Sequence, residues 1–529
     1  MGRKNIIYIL FAIILVMSTR SYSYASYDIP DYVDIGLKSI MNGSNTYTVQ
    51  STDGFNVGEV ERDFETILRI KEDEITVGYA QNISPYIIVM DKEFDDISDI
   101  TDEIDELKDD EDLLAFIYAC NGGYYIAFGP YTSEREAESD YRSMEDDING
   151  DLKIITTDDD AIAVYDDYEG MLFLYNSEDS TYFISADNWD KESVVELDNN
   201  AYRDYIGFTV RNKKIIPINR VTVDHYLYGV VPREISPSWH EEALKAQAIA
   251  ARNFTIVNID RHNAEGFDLC DNNHCQVYGG YKWEDSKTND AIDDTRNELI
   301  TYDGEPIYAY YHSNSGGKTE NSENVWSNPV PYLKSVEDKF SVGSPNTNWQ
   351  LVLTNDKVRE VFSRNGIDIG EILSIDVLSK SENGRILEIE FEGKYGSKVF
   401  EKEEIRKIFG YNIVKSTWFD IGSSGIETYV IDGLGNGIQR MSVDSAFILS
   451  GHSNNIANRG TNRKNIRYNL TDGENHKTIN QSSSEGIVFN GKGWGHGLGM
   501  SQWGAKKMAE LGYSYEQIIE YYYNDVEIE

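Results

Sequence analysis

Four segments of this chain have the residue types and spacing to do chemistry. In the first, Glu234 stands within Gly229-Val230-Val231-Pro232-Arg233-Glu234-Ile235-Ser236-Pro237. Burial among apolar neighbours disfavours the charged form of a carboxyl group, and an acid that stays protonated near neutral pH is what general-acid catalysis needs. The same spacing allows an ion pair with Arg233 or a helix cap, and the two prolines suggest a loop. The second segment offers two thiols and two imidazoles, His262, Cys270, His274 and Cys275. That is a donor set zinc prefers, while a Cys270–Cys275 disulfide is the alternative in an oxidising exterior. The third places His312 beside Ser313 in a Gly-rich stretch, without the Gly-x-Ser-x-Gly elbow or a third partner that a serine hydrolase requires. The fourth alternates glycines at 491, 493, 495, 497 and 499 around Trp494 and His496, before Ser501 and Gln502. Glycine weakens an ordinary strand, so this pattern expects a ligand or another segment to approach the backbone closely. Neither Walker nor dinucleotide spacing fits it.

Elements must hold these residues. Ser238 and Glu241, three apart, have the spacing of a capping box, and the alanine-rich run after them predicts a helix that neighbours can approach closely. On that helix Gln247 and Arg252 lie about 140° apart, so one of them is expected to face a cleft. Upstream, Ile97, Ile100, Ile104 and Leu107 repeat at helical spacing within an acidic stretch, which reads as a solvated amphipathic helix. Tyr124 to Tyr131 reads as a strand closed by a Gly-Pro turn, with Ser133 and Glu136 opening a helix. Tyr47 to Gln50 is a candidate first strand of the same unit. Strands are also expected at 161–165, 171–175 and 181–185.

The N-terminus has a basic start, an apolar run from Ile6 to Met17 and a polar stretch ending at Ala25, the layout of a secretory signal. About a dozen apolar residues fall short of the ~20 that span a bilayer; an uncleaved anchor is the alternative. Both readings put the chain outside the cytoplasm, at the cell wall or on the cell surface. The net charge of -43 over 529 residues argues against nucleic acid and anionic membranes as partners. Three cysteines do not make a disulfide framework for a chain of this length.

The segments His225–Glu234, Ala243–Ala248, Cys275–Tyr278 and Gly495–Gln502 resemble, in order, the motifs of the SpoIID/LytB family. The resemblance covers about 201 to 529. It implies an α+β fold: a SpoIID-type catalytic domain of mixed sheets and helices at 196–529. Before it come a leader at 1–25, an acidic α/β region at 26–160 and a connecting β region at 161–195. Residues 124–144 of the acidic region resemble part of a SPOR domain, a module that binds peptide-free glycan.

The family likeness also implies a lytic transglycosylase acting on peptide-free peptidoglycan strands during sporulation, with Glu234 as the catalytic acid/base. It further implies a zinc site formed by His262, Cys270, His274 and Cys275. Gln247, Gln276, Tyr278, His312, Ser313, His496, Ser501 and Gln502 are the expected sugar-binding residues. Other cell-wall hydrolases or sporulation proteins are the expected partners. Arg233 departs from the small residue common at its position in the family. The alternative is a non-catalytic glycan-binding protein that stimulates a partner amidase.

Overall fold

A computed structural model describes residues 27–423 and 486–529, apart from residues 28, 42, 44, 61–62, 95–96, 112–113, 146–147, 149, 167–169, 179–180, 187–192 and 327, together with six short strands between 427 and 480. The expected leader at 1–25 lies outside the described residues. Among the described residues no helix is long and apolar enough to cross a membrane. The chain divides into two units, one of residues 1–238, 248–308 and 527–529 and the other of residues 239–247 and 309–526.

The first unit is built on two sheets. A ten-stranded sheet runs in the order Asn200–Arg203, Val194–Leu197, Thr46–Gln50, Glu74–Tyr79, Ala161–Asp166, Gly170–Asn176, Ala115–Cys120, Gly123–Tyr131, Tyr86–Phe94 and Leu152–Thr156. Its last four strands, with helix α1 (Ile97–Glu111) and helix α2 (Glu134–Met144), form a βαββαβ arrangement. The strand Tyr86–Phe94 is antiparallel to both Gly123–Tyr131 and Leu152–Thr156, and Ala115–Cys120 closes the set beyond Gly123–Tyr131. This is the split βαβ pattern of ferredoxin-like folds. Ile100 and Ile104 turn the inner face of α1 into the core. At the start of α2 the Ser133 hydroxyl accepts from the Glu136 N–H, while the Glu136 carboxylate reaches back to Thr132. Tyr47 does not join this arrangement: its strand pairs with Glu74–Tyr79 and Val194–Leu197 instead.

The seven-stranded sheet runs Leu269–Cys270, Tyr32–Gly36, Lys214–Thr222, Tyr205–Arg211, Phe183–Ala186, Phe55–Val60 and Phe64–Ile70. Tyr47 packs on Phe208, and the Tyr175 hydroxyl donates to the Phe208 carbonyl, so the two sheets share a core. The sheets do not divide at 160 or 196, where composition suggested boundaries. Strands from 161–195 sit inside both sheets, and Tyr32–Gly36 lies between Lys214–Thr222 and Leu269–Cys270.

Two helices follow the Lys214–Thr222 strand. Thr222 caps α3 (Val223–Glu234) by accepting from the His225 N–H, and Asp204 holds both the Thr222 N–H and the His225 ring. Glu234 is therefore the last residue of a helix and does not lie in a loop. Pro232 lies inside the last turn of the helix and, lacking an N–H, gives no hydrogen bond to the Tyr228 carbonyl. Helix α4 (Glu241–Val257) follows. Its first N–H groups are met by His240, whose Nδ1 accepts from Glu242, while Ser238 bonds Ser236, so the expected Ser238–Glu241 capping box does not form.

The second unit carries an α+β core between its motif-bearing segments. Phe362, on helix α5 (Asn355–Arg364), packs edge to face with Phe391 and Phe409 and tilted against Phe400. The strand Ile487–Lys492 pairs with Asn348–Leu353 and Phe419–Ser423 and delivers the chain into the glycine-rich segment.

Candidate functional site

The first unit gathers Glu234, the cysteine–histidine group and an open pocket. Glu234 is half-buried, set between buried Val231 and Ile235 at the carbonyl-bearing end of α3. The helix is held against the 276–280 segment by a close approach. A Cβ on Gly229 would lie 2.4 Å from the Tyr278 ring, and the Gly229 carbonyl accepts from the Gly279 N–H. Tyr278 is buried, its hydroxyl donating 2.8 Å to Asn219, and burial pushes that phenol well above its ordinary range. Gln276 is likewise internal, its Oε1 accepting from Thr255 and Tyr226.

The expected choice between Gln247 and Arg252 resolves into neither facing solvent, since each is 1% exposed. Arg252 donates to the carbonyls of Thr295, Ile292 and Glu298 and pairs with Asp224, so its guanidinium satisfies the end of the Ser286–Asp294 helix. Gln247 accepts from Gln502 at 3.3 Å within the second unit.

His262, Cys270, His274 and Cys275 offer donor atoms that all lie within 4.8 Å of one another. His262 Nε2 is 3.2 Å from His274 Nδ1, Cys275 Sγ is 3.4 and 3.5 Å from those two nitrogens, and Cys270 Sγ is 3.8 Å from His274 Nδ1. Tetrahedral zinc, with bonds of ~2.0–2.3 Å, needs ligands ~3.3–3.8 Å apart, so the donor set fits the ion. Glu265 accepts from His262 Nδ1 at 2.6 Å, which leaves Nε2 as the ligating nitrogen, and Lys38 holds Glu265 in turn. The hydrogen bond from Cys275 favours a thiolate at Cys270, whose thiol is drawn down to about 4, and pushes the Cys275 thiol up. Both cysteines are free thiols.

Beside this group a cavity of about 310 Å³ is lined by Asn200, Arg233, Asp271, Asn272, Asn273 and Trp283, among others. Trp283 was not singled out by its sequence context, although the Gly279-Gly280 pair before it is the signal. A Cβ on Gly279 would sit 2.4 Å from the indole, which therefore lies directly on the backbone.

In the second unit, Tyr311–His312 pairs in parallel with Met500–Ser501, bringing the third and fourth sequence segments together. His312 donates from Nδ1 to the Leu498 carbonyl at 3.0 Å, and His496 Nδ1 accepts from the Leu498 N–H at the same distance. Burial, the neighbouring His496 and Arg385 hold His312 well below its ordinary value, while burial and then Arg406 and Arg385 lower His496 to about 3. The glycines answer to protein segments. At Gly497, with φ +85, a Cβ would meet the Arg385 guanidinium at 2.3 Å, and at Gly495, with φ +118, it would meet His312 at 2.5 Å. Arg385, which nothing in its sequence context marked, is fully buried and donates to the Ser315 carbonyl. Ser501 Oγ accepts from the N–H groups of Ser315 and Gly504, capping the helix Gln502–Glu510; Ser313 is half-buried and its carbonyl accepts from Trp503.

A family model described as stage II sporulation protein, SpoIID, matches residues 211–302, and one described as a domain of unknown function matches 346–438. The amidase enhancer of Bacillus subtilis is 30% identical over 373 residues, which cover 64% of this chain and 46% of that protein. Stage II sporulation protein D of Bacillus subtilis is 27% identical over 326 residues, covering 59% of this chain and 75% of that protein. An uncharacterized protein of Brachyspira hyodysenteriae is 27% identical over 333 residues, covering 63% and 73%. The chain thus spans less than half of the amidase enhancer. A SpoIID family domain lies at residues 211–302, and the relatives' names support a likeness to the SpoIID/LytB family.

Proposed function

We propose that this protein is an exported cell-wall enzyme, a lytic transglycosylase that cleaves peptide-free glycan strands with Glu234 as its acid/base. The observation that carries the reading is the placement of Glu234 inside the SpoIID-matched segment, at the end of α3 and next in sequence to a residue lining an open pocket. Buried Val231 and Ile235 flank Glu234, and a general acid starts protonated.

Most glycosidases need two carboxylates. One suffices when the substrate supplies the nucleophile. Glu234 gives its proton to the glycosidic oxygen as the bond to C1 breaks. The C6 hydroxyl of the same muramyl ring then bonds C1 and returns its proton to Glu234, leaving a 1,6-anhydro end. Holding both groups in one ring removes most of the association entropy.

Zinc at His262, Cys270, His274 and Cys275 would be structural. Four protein ligands close the site, whereas a catalytic zinc keeps one position open. When bound it would tie the 262–275 loop together. The βαββαβ segment from Tyr86 to Thr156 supports a SPOR-type reading, in which it binds the same glycan and raises its local concentration. The amidase enhancer relative favours the other reading, a glycan-binding protein that stimulates a partner amidase.

Products separate the two readings. Glu234→Gln keeps size and hydrogen bonding but cannot exchange the proton, so release of anhydro-muramic ends is expected to fall ~10²–10⁴-fold while the fold is retained. Anhydro ends released at the wild-type rate by this variant, or none released by the wild type, would remove the assignment.

A further inference from the structure

We infer that Arg233 and Trp283 form a subsite for an anionic sugar, reading the free lactyl carboxylate of a muramyl residue. The inference rests on the glycan reading above and deepens it. The Arg233 guanidinium lies 4.0 Å from the centre of the Trp283 ring. Stacking of this kind leaves the in-plane N–H donors available. Among the described residues Arg233 makes no ion pair or hydrogen bond, although the chain carries 91 acidic residues against 48 basic ones. Asp271 lies in the same pocket but does not claim the arginine, because its carboxylate accepts from the backbone N–H of Ser39 at 3.0 and 3.1 Å and from the Ser39 hydroxyl.

The remaining walls suit a sugar. Trp283 is 52% exposed and presents an indole face on which a pyranose can stack. Asn273 places an amide at the pocket for hydroxyl and acetamido groups, while Asn272 Oδ1 accepts from the His274 N–H. About 310 Å³ is near the lower end of small-ligand pockets, ~300–1,000 Å³, and suits one ring better than a long segment of strand. Muramic acid bears a lactyl ether at C3. Where the peptide stem is gone this group ends in a carboxylate, and where the stem remains it ends in a neutral amide. A guanidinium at this position therefore favours stripped strands by charge as well as by room.

The test uses the full chain carrying Glu234→Gln, so that bound strands are not consumed. Its probes are peptide-free glycan strands and the same strands with their lactyl carboxylates converted to methylamides. Native strands are expected to bind about five- to tenfold more tightly, with the advantage shrinking as salt rises. In the Arg233→Gln background that ratio is expected to collapse to about one. Trp283→Ala is expected to weaken both strands by the same factor and keep the ratio. Equal binding of the two strands before Arg233 is changed, or an undiminished ratio afterwards, overturns the assignment and leaves the glycan reading standing. Binding of neither strand overturns both.

Discussion

At the scale of single residues, two histidines of the second unit, buried His312 and half-buried His496, carry a measurable signature. His312 and His496 are neutral in the folded protein and titrate far below the ~6.5 of an unfolded histidine. Between those values the unfolded chain binds protons that the folded chain does not, so stability rises with pH through this window. It is fully present above about pH 6.5 and is lost as the pH falls toward the folded value of about 3 for His496. Each such histidine contributes a slope of about 1.4 kcal/mol per pH unit at most. The expected outcome is a melting temperature that drops from pH 7 to pH 5, and drops less steeply in His496→Gln. Identical slopes in the two proteins would show that His496 is not held neutral. The same pair bears on the sugar-binding expectation. His312, Ser501 and Gln502 are buried among protein partners, and half-buried His496 has one ring nitrogen committed to the Leu498 N–H.

At the scale of elements, the 262–275 loop is where a metal would act. Cys270 belongs to the short strand that pairs in parallel with Tyr32–Gly36 at the edge of the seven-stranded sheet. Releasing the loop would free that edge strand before it disturbed α3. Zinc is expected at one equivalent per chain, and a chelator is expected to lower the melting temperature by several degrees. Cys275→Ser is expected to do the same without chelator. Elemental analysis free of zinc, together with a Cys270–Cys275 disulfide by mass spectrometry, would replace the metal by a covalent link. Helix α3 teaches a related lesson about elements. Pro232 made its last turn look like a loop, but the intact turns before it were capped by Thr222 and pinned through Asp204, contacts invisible at the spacing of the prolines.

At the scale of the whole molecule, the N-terminal region is structural as well as additional. The strands Tyr32–Gly36, Phe55–Val60 and Phe64–Ile70 belong to a sheet whose other members lie at 183–222 and 269–270. A chain starting near 196 would lose one of the two partners of Lys214–Thr222 and leave the Leu269–Cys270 strand unpaired, so it is expected to be insoluble or unfolded by circular dichroism. A soluble, cooperatively melting 196–529 fragment would contradict this. The glycan role of the Tyr86–Thr156 segment must therefore be read by point change. Tyr125→Ala, at a half-buried ring on the strand Gly123–Tyr131, is expected to reduce retention on intact walls more than turnover of short soluble oligosaccharides. Equal loss on both would leave the segment without a glycan role.

What the sequence determined by itself was local or chemical. Periodicity placed α1, the Ser133 cap and the strands of 161–186, because each depends on residues a few positions apart. Donor chemistry marked His262, Cys270, His274 and Cys275 before any distance was known, and the ordered motifs led to the SpoIID/LytB family. Tertiary structure decided the rest. Register between strands more than a hundred residues apart, as between Tyr32 and Thr222, is set by packing that no local pattern encodes. That is why the boundaries at 160 and 196 dissolve into shared sheets. Burial likewise turned Gln247, Arg252, Gln276 and Tyr278 inward, and it placed Trp283 on Gly279 with Arg233 stacked above it. A side chain's neighbours are fixed only when the distant backbone they pack on is in place, so the pocket lined by Arg233 and Trp283 could be seen only in three dimensions.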